Sequence, residues 1–438
     1  VYAVNQFVLL YGAEHPDQPS LVEILPLEVR VGETASGFVA PREGVPTQTL
    51  SIQSGPGPRK AFHASAIGAV NQAVIQSLQK FGLIGVYVSP HPADVDAETE
   101  SDLRRPGDTL MRLVVQTGVV RRIRTVAAGD RIDSGWGIDN EIHRPIRLDS
   151  PIQPASNAAP GTTTLLHKDT LQDYLFALNR HPGRQVEASL APAEGGEGVD
   201  LDYHVHESRS WFAYLQTSNT GTKQTALWQT RIGFVDRQLT NNDDILALEY
   251  MNAGLDRVHA LRASYEAPFF GPRRPSWMKK SGREPGWLAW FNRDKIPWWG
   301  VDRLRWRLDG SWSQFKASGI SKNDFDGTNW TANGTIIYNV WQYRNFFVDV
   351  SLDLGGRGIE TTNETFGKTA SALLLLPGAG LQIEKVGETS SLQAELGFSA
   401  SVLPLSRYDA ANMGRFGPDR TWQLLGWNAI FSQYLEPL

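Results

Sequence analysis

The chain has 438 residues and a formal net charge of −5, so it carries no global basic field of the kind that binds nucleic acid. It contains no cysteine, which excludes disulfides, thiolate metal sites and cysteine nucleophiles. The mean hydropathy is −0.31, and no segment approaches the roughly 18 consecutive apolar residues of a transmembrane helix. This composition does not exclude membrane-spanning strands, because each needs only about ten residues with every second one apolar.

Residues 1–137 have the pattern of a small α+β domain. The segment Tyr2–Tyr11 predicts an opening strand, and an exported protein that begins inside a strand pattern would be represented in its mature form. A loop-rich region that contains the linker Ser54–Pro58 follows. Apolar residues at helical spacing from Ile67 to Phe81 then predict a helix, which Gly82 ends. The remaining predicted strands are 83–88 and 110–120.

Residues 138–208 predict a second domain of the same kind. Leu171, Leu175 and Leu178 share one face of a predicted helix, and the His-Pro-Gly turn at 181–183 ends it. Two strands follow, at 185–190 and 199–205. This order repeats that of the first domain, and we interpret the two as tandem copies of one small fold.

From residue 209 to residue 438 the sequence alternates between apolar and polar residues. In Leu304–Trp312, for example, every second residue is apolar or glycine, and charged or polar side chains lie between. The pattern predicts ten strands, which begin near residues 211, 225, 244, 258, 302, 330, 346, 371, 390 and 421. Short turns alternate with long polar loops, which is typical of an antiparallel transmembrane β-barrel. A soluble β-sandwich also alternates, but the aromatic-rich apolar face and the charged opposite face favour the barrel.

Several short motifs around the second predicted domain resemble a known family. They are Leu175–Arg184, Glu187–Leu190, Gly198–Leu201, Val205–Trp211 and Asn219–Gly221. These motifs are similar to the second POTRA domain and first barrel strand of two-partner secretion transporters, the exporters of haemolysin and filamentous haemagglutinin. The resemblance is specific over 150–270 and is one of pattern over 300–438. It implies two periplasmic POTRA domains followed by a β-barrel in the bacterial outer membrane.

The sequence departs from that family in the barrel. The Val-Arg-Gly-Tyr or Val-Arg-Gly-Phe loop typical of the family is absent, and Gly355–Gly358, the nearest similar segment, comes too early. Ten strands are also fewer than such a barrel needs. We therefore expect an incomplete barrel, either because the sequence is part of a longer protein or because a separate chain closes the barrel. We favour the first explanation, since an open sheet edge in lipid leaves backbone groups unpaired.

No catalytic or cofactor-binding constellation is evident. His204 and His206 share one face of a strand, but no third metal ligand is near them in the sequence. The segment Ser54–Lys60 superficially resembles a phosphate-binding loop, but it lacks the Gly-Lys-Ser/Thr end. We therefore predict a protein that is not an enzyme and needs neither metal nor cofactor.

Two sets of residues are candidates for transport. In the first, the helix and the strand edge after it would form a junction and a groove that binds an extended client by β-augmentation. Its members are Asn179, Arg180, Pro182, Gly183, Arg184, Glu187 and Trp211. The second set would line the barrel lumen, and its members are Arg231, Glu249, Arg262, Arg305, Arg307, Asp309, Asp349, Asp353 and Glu395. Their mixed charge suits a hydrated conduit for an unfolded polypeptide, and it suits equally well a plugged barrel in which the charges satisfy one another.

The segment 270–300 combines seven Arg or Lys with five Trp between two predicted strands. This composition suits a membrane interface or a docking surface. We predict that it packs against the POTRA domains or a partner subunit, such as another envelope protein, and that outer-membrane lipid is a further partner of the protein. Its candidate contact residues are Arg273, Arg274, Trp277, Trp287, Trp290, Trp298 and Trp299.

The function that these patterns favour is export of a secreted partner polypeptide across the outer membrane. Two alternatives stay open at this point. One is an assembly factor of the same superfamily, which would insert other outer-membrane proteins. The other is an envelope scaffold in which the barrel serves as an anchor.

Overall fold

A computed structural model describes residues 1–133, 137–157, 162–194, 198–223, 225–255, 257–269, 303–317, 325–364, 367–387, 389–406 and 419–435. These residues form two compact units. The first comprises Val1–Thr125, Ser150–Tyr174 and Glu187–Tyr203, and the second comprises Val126–Asp149, Leu175–Val186 and His204–Leu438. The predicted domain boundaries at 137 and 208 stay a prediction.

The part of the chain before residue 209 contains eleven strands and three α-helices among its described residues. In chain order they are β1 Tyr2–Val4, β2 Gln6–Tyr11, β3 Leu27–Thr34, β4 Gly37–Val39, β5 Thr47–Ile52, β6 Lys60–Phe62, α1 Ala64–Lys80, β7 Tyr87–Pro90, β8 Leu110–Gln116, β9 Val120–Ala128, α2 Arg144–Leu148, α3 Lys168–Asn179, β10 Arg184–Pro192 and β11 Val199–Glu207. No helix in the described residues is long and apolar enough to cross a membrane.

Two three-stranded sheets have the same strand order. In one the order is β2-β8-β7, and in the other it is β10-β11-β9. In each sheet the strand that comes last in the chain lies in the middle, between the strand before the helices and the strand after them. In the first sheet β2 pairs with β8 in parallel, and β7 pairs with β8 antiparallel. The two sheets therefore have the strand order expected of tandem copies of one fold.

The region predicted to be loop-rich in the first domain is a sheet instead. Strands β1, β6, β4, β3 and β5 form a five-stranded sheet in that order. Its inward side chains, among them Val31, Phe38 and Leu50, share the core of the first unit with one face of α1. The alternation of Leu27, Val29 and Val31 does indicate a strand. The other strands are short and separated by Gly and Pro, so the sequence pattern does not reveal them.

Helix α1 lies where the spacing predicts it. Ile67, Val70, Val74 and Leu78 are buried along one face, and Gly82 after the helix has a φ of +84°, a left-handed conformation that favours glycine. The strands around it differ from prediction. The predicted strand 83–88 corresponds to β7, which begins only at Tyr87. The predicted strand 110–120 corresponds to β8, which ends at Gln116, and β9 begins at Val120 as a separate strand.

Helix α3 is also confirmed, although its buried face is narrower than predicted. Leu171 and Tyr174 are buried, whereas Leu175 and Leu178 are only partly buried. The ring of Tyr174 packs edge-on against Tyr203 with 5.8 Å between centroids. The Tyr203 hydroxyl hydrogen bonds to Ser150 at 2.7 Å, so a buried tyrosine retains a polar partner.

The second unit is dominated by one antiparallel sheet of ten strands. Each strand pairs with its neighbours in the chain. The strands are β12 Trp211–Ser218, β13 Gln229–Asp236, β14 Ile245–Ala253, β15 Val258–Pro268, β16 Leu304–Ala317, β17 Phe325–Tyr343, β18 Phe346–Asn363, β19 Lys368–Lys385, β20 Ser390–Ala400 and β21 Gln423–Gln433. All ten predicted strands are confirmed, with starts within about five residues, and the sheet is open, with β12 and β21 at its edges.

One face of this sheet is an apolar band. On β19 the band runs from Leu373 to Ile383, with Leu373 59% exposed. Ten residues rise about 33 Å along a strand, which a tilt of about 40° reduces to about 25 Å, the height of the apolar band on a membrane barrel. Trp330 lies near one rim of the band and Trp341 near the other, where interfacial aromatic residues belong.

Candidate functional site

The turn between α3 and β10 is held by its own side chains. Asn179 closes it, because its amide nitrogen donates to the carbonyl of Val186 at 3.1 Å and its amide oxygen accepts from the Val186 amide at 2.5 Å. Pro182 is exposed. Gly183 has a φ of +85°, and a Cβ there would lie 2.9 Å from the guanidinium of Arg237. The turn therefore has one defined shape and requires glycine at this position.

Arg180, at the start of this turn, binds the sheet of ten strands. Its guanidinium donates to both carboxylate oxygens of Asp349, with Nη1 to Oδ1 at 3.2 Å, and its Nε donates to Glu384 at 2.7 Å. The guanidinium also lies over the ring of Phe347, 4.8 Å from its centroid. Burial opposes the charge of Arg180, but the hydrogen bond and charge of Asp349 outweigh it and raise the pKa of Arg180.

Arg184, the first residue of β10, binds a different pair of carboxylates. Its Nε donates to Glu207 at 2.8 Å, and its Nη1 donates to Asp243 at 2.9 Å. Glu207 also accepts from Arg131 and, at 3.1 Å, from Nε2 of His143. The side chains of Arg184 and Glu207 are 5% and 4% exposed. Two arginines thus balance two carboxylates, of which Glu207 is buried and Asp243 is 37% exposed, and the buried charge has the partners that it requires.

The surroundings of His143 fix its tautomer. The amide oxygen of Asn140 accepts from the backbone amide of His143 at 2.8 Å, which directs the Asn140 amide nitrogen to Nδ1 of the ring at 3.1 Å. Because Nδ1 accepts that hydrogen bond, Nε2 carries the proton and donates to Glu207. His143 therefore donates to Glu207 through Nε2.

The cluster perturbs the titration of its members. Burial opposes ionisation of Glu207, but the hydrogen bond from His143 and the charges of Arg184 and Arg131 outweigh it and lower its pKa to about 2. In Asp243 the charge of Arg184 likewise outweighs burial and lowers the pKa. Burial lowers the pKa of His181 to about 4, and its Nε2 atom has no hydrogen-bond partner among the described residues. The carboxylates are therefore ionised and His181 is neutral at neutral pH.

The loop before β14 is built to present Asp243. Asn241 and Asp243 have φ values of 59° and 55°, in the left-handed region that Asn and Asp tolerate best among non-glycine residues. The side-chain amide of Gln238 donates to Asp243 at 2.7 Å, and Arg131 donates to Asn241 at 2.7 Å. Sequence reasoning identified Arg184 but missed these partners, and the Asn-Asn-Asp-Asp run at 241–244 was the only local signal.

The pairing register places all nine residues of the predicted lumen set on one face of the sheet, opposite the apolar band. Glu249 lies opposite Arg262, and Thr335 lies opposite both Arg307 and Asp353. Gln382 lies opposite both Asp349 and Glu395, so the polar face continues across the sheet to its far edge. That this face bounds a lumen stays a prediction.

Many charges on the polar face are paired. Arg305 donates to Glu266 at 2.7 Å, Asn333 donates to Asp309 at 2.8 Å and Thr335 donates to Asp353 at 2.7 Å. Arg231 lies 3.7 Å from Glu249, which also accepts from Tyr214 at 2.8 Å. A cleft of about 460 Å³ remains on this face, lined by Arg231, Glu249, Arg262, Asp309 and their neighbours. The face combines paired charge with open space for solvent.

Two further candidates, Glu187 and Trp211, have exposed side chains. Strand β10 is an edge strand whose partner in its sheet is β11, and Glu187 lies on it with an exposed side chain. Trp211 opens β12 and is 42% exposed, with the guanidinium of Arg209 over its ring at 4.3 Å. The predicted contact residues of 270–300, from Arg273 to Trp299, lie outside the described residues. Within the described part of the chain, no group of three or more His, Asp or Glu side chains could hold a metal ion.

The fold is that of the outer-membrane POTRA-barrel proteins. The chain is similar to CdiB from Escherichia coli, with a TM-score of 0.53 and 13% identity over 98% of this chain and 65% of CdiB. It also matches CdiB from Acinetobacter baumannii (TM-score 0.45, 10% identity, 100% of this chain and 70% of that one) and BamA from Haemophilus ducreyi lacking POTRA domains 1–3 (0.38, 11%, 99% and 71%). No protein-family model and no curated protein matches the chain.

The predicted resemblance to two-partner secretion transporters is confirmed at the level of fold. Identity of 13% supports the fold alone, and the chain spans 65% of the length of the Escherichia coli CdiB. The activity of the whole protein, its location and its partners are therefore matters for proposal.

Proposed function

We propose that this chain is the soluble portion and the first ten strands of a bacterial outer-membrane transporter that exports a partner polypeptide. The observation that carries the proposal is the sheet of ten strands, which has an apolar band on one face and a continuous polar, charged face on the other. A lipid-facing band paired with a hydrated wall is the arrangement that a conduit requires. In this proposal the two α+β repeats lie in the periplasm, and transport uses neither metal nor cofactor.

The repeats would receive the client through a strand edge. Strand β10 has one neighbour in its sheet, and most of its residues are exposed. An extended polypeptide can pair with such an edge through main-chain hydrogen bonds, which bind without a particular sequence. Because Arg184 is the first residue of β10 and Arg180 precedes it by four positions, the two arginines fix where this edge begins. The turn residues predicted from the sequence would therefore define the start of the receiving strand.

Export by the full-length protein tests the proposal. The assay would use the complete gene expressed with a neighbouring gene for a long secreted β-rich protein, with secreted partner measured in the medium. Proline at Ser189 or at Leu190 tests the β10 edge, since adjacent residues direct their amides to opposite sides and proline removes an amide donor. One of the two variants should keep β10 paired with β11 and still reduce export, while Leu190→Thr should export normally.

Two outcomes would overturn the proposal. One is unchanged export in both proline variants when each is present at normal level in the outer membrane, which would remove the role of the edge. The other is normal export without the protein combined with defective insertion of other outer-membrane proteins, which would favour an assembly factor. Conductance of the full-length protein in planar bilayers would distinguish a transporter or an assembly factor from an anchoring scaffold, which should not conduct.

A further inference from the structure

The side chains around Arg180 enclose its guanidinium on three sides. The ring of Phe347 lies beneath it, Asp349 binds it with both carboxylate oxygens, and Glu384 binds its Nε. A planar group with donors along its edges satisfies a ring face and two carboxylates together. An ammonium group has no plane to stack and no fork to match a carboxylate, so this arrangement favours guanidinium over ammonium.

This arrangement is built into the sheet and does not depend on Arg180. The amide nitrogen of Asn339 donates to Asp349 at 2.7 Å, and both residues are buried. Phe347 is 2% exposed, and Glu384 retains 26% side-chain exposure. If Arg180 left, Asp349 would keep its amide donor and Glu384 would gain water. When its arginine leaves, the site therefore keeps one polar partner for the buried Asp349 and solvent access at Glu384.

The neighbouring Arg184 site is of the opposite kind. Glu207, Arg184 and Arg131 are all less than 9% exposed, so withdrawal of Arg184 would leave Glu207 with Arg131 as its one remaining cation among the described residues and would open a gap in a dry environment. The turn between the two arginines contains Gly183 in a left-handed conformation, and glycine accepts a change of backbone angle more readily than other residues. Arg184 is thus suited to a fixed pivot, and Arg180 to a contact that can open.

We propose that Phe347, Asp349 and Glu384 form a guanidinium socket on the polar face of the sheet, and that Arg180 occupies it as a releasable latch. The ligand class of the socket is an arginine side chain. Release leaves two carboxylates on the wall without their cation, so an arginine of a passing polypeptide becomes the competing ligand. The identity of this competitor rests on the proposed export function, whereas the socket and the latch do not.

The latch can be followed by spin-label distances, because the chain has no cysteine of its own. Labels at Pro182→Cys, in the exposed turn, and at Leu352→Cys, on the apolar face, would report the position of the turn in the full-length protein. The latched protein should give one narrow distance distribution. Millimolar ethylguanidinium should broaden it by competition, whereas ethylammonium should leave it unchanged. In Arg180→Gly the distribution should be broad with either compound.

The socket itself is tested by binding in the absence of the latch. Ethylguanidinium should raise the unfolding temperature of Arg180→Gly, and ethylammonium should not. The double variant Arg180→Gly, Asp349→Asn is the matched control, since it lacks the carboxylate and reports any general effect of the cation. A narrow distribution in Arg180→Gly would overturn the latch, and equal shifts in the single and double variants would overturn the socket.

A last arm addresses the competitor. A synthetic extended peptide that contains arginine should broaden the distance distribution, and the same peptide with lysine should not. If ethylguanidinium releases the turn and the arginine peptide does not, the socket stands and the passing polypeptide is excluded as its ligand. The peptide result does not depend on whether the proline variants of β10 lose export. Failure of the export proposal can therefore be distinguished from failure of the socket and latch.

Discussion

Arg180 and Asp349 lie 169 positions apart in the chain and form a two-pronged ion pair on the polar face of the ten-stranded sheet. Four residues after Arg180, Arg184 forms a second pair of ionic contacts with Glu207 and Asp243. The turn between them is thereby fixed at two points to the same compact unit. The two contacts differ in burial, and this difference has a measurable consequence.

Replacement of the two arginines should destabilise the protein unequally. Arg184→Ala removes the cation that Glu207 and Asp243 share and leaves the buried Glu207 with Arg131 and His143, and loss of one partner of a buried pair costs about 3–5 kcal/mol. Arg180→Ala removes a side chain that is 24% exposed and leaves Asp349, 5% exposed, with the amide donor of Asn339, so we expect a smaller loss of about 1–3 kcal/mol. Chemical unfolding of the full-length protein in detergent would measure both. Equal losses of unfolding free energy would contradict the distinction between the two sites.

The sequence located this turn but not its partners. The run of Leu175–Arg184 and the turn at His181–Gly183 are local features, so both could be predicted. Glu207, Asp243 and Arg131 are brought to Arg184 by three separate segments of chain, and no spacing within one segment indicates such a meeting. Local patterns predict elements, whereas a buried ionic cluster depends on how distant elements pack.

The same reasoning explains the success with the sheet and the failure in the first domain. Alternation in β16 assigns Arg307 and Asp309 to one face and Leu308 to the other before any pairing is known, because side chains on a strand alternate. Strands β4 and β6 have three residues each, too few for alternation to emerge. Their sheet forms because β3 and α1 supply an apolar surface for it, which is a tertiary effect.

Stability should depend on pH through His181. Burial lowers its pKa to about 4, against about 6.5 in an unfolded chain, so the unfolded state binds a proton more readily between these values. Stability is therefore fully present above about pH 6.5 and falls as the pH is lowered towards about 4. His181→Asn should remove this part of the pH dependence. His206→Asn alters an exposed histidine, so the dependence of its unfolding midpoint on pH should match that of the unsubstituted protein. If both variants gave the same dependence, His181 would not be its source.

A further fall in stability should appear at lower pH. Glu207, whose pKa is about 2 in the folded protein, has a pKa near 4.5 when unfolded, so its contribution is lost as the pH falls from about 4.5 to about 2. Glu207→Gln should flatten this region at the expense of stability at neutral pH, since Arg131 then loses its carboxylate and Arg184 keeps only Asp243. Titration of intrinsic tryptophan fluorescence would follow both regions. An unchanged acid limb in Glu207→Gln would rule out Glu207 as its source.

Gly129 should be far less tolerant of alanine than a glycine of the same backbone conformation elsewhere. Its φ is +94°, and a Cβ would lie 2.2 Å from the carbonyl oxygen of Glu207. Gly107 has a φ of +91° with nothing within 4 Å of its Cβ position. Gly107→Ala should therefore cost about 1–2 kcal/mol from the left-handed conformation alone, and Gly129→Ala should cost about 1–3 kcal/mol more because Glu207 must move. Thermal unfolding of the two variants would measure this difference. Equal unfolding midpoints would contradict the close contact between position 129 and the Glu207 carbonyl.

The apolar band predicts where along one strand a charge can be placed. Leu308 and Gln314 share the same face of β16, but Leu308 is 56% exposed within the band and Gln314 lies beyond Trp312 at its rim. If this face contacts lipid, arginine near the middle of the band costs about 2–4 kcal/mol, falling to about 0–1 kcal/mol near the interface. Leu308→Arg should therefore reduce the amount of folded protein in the membrane fraction, and Gln314→Arg should not. In an aqueous environment both positions would accept arginine, because neither side chain is buried by protein. Equal, normal levels of the two variants would therefore mean that this face does not meet a bilayer.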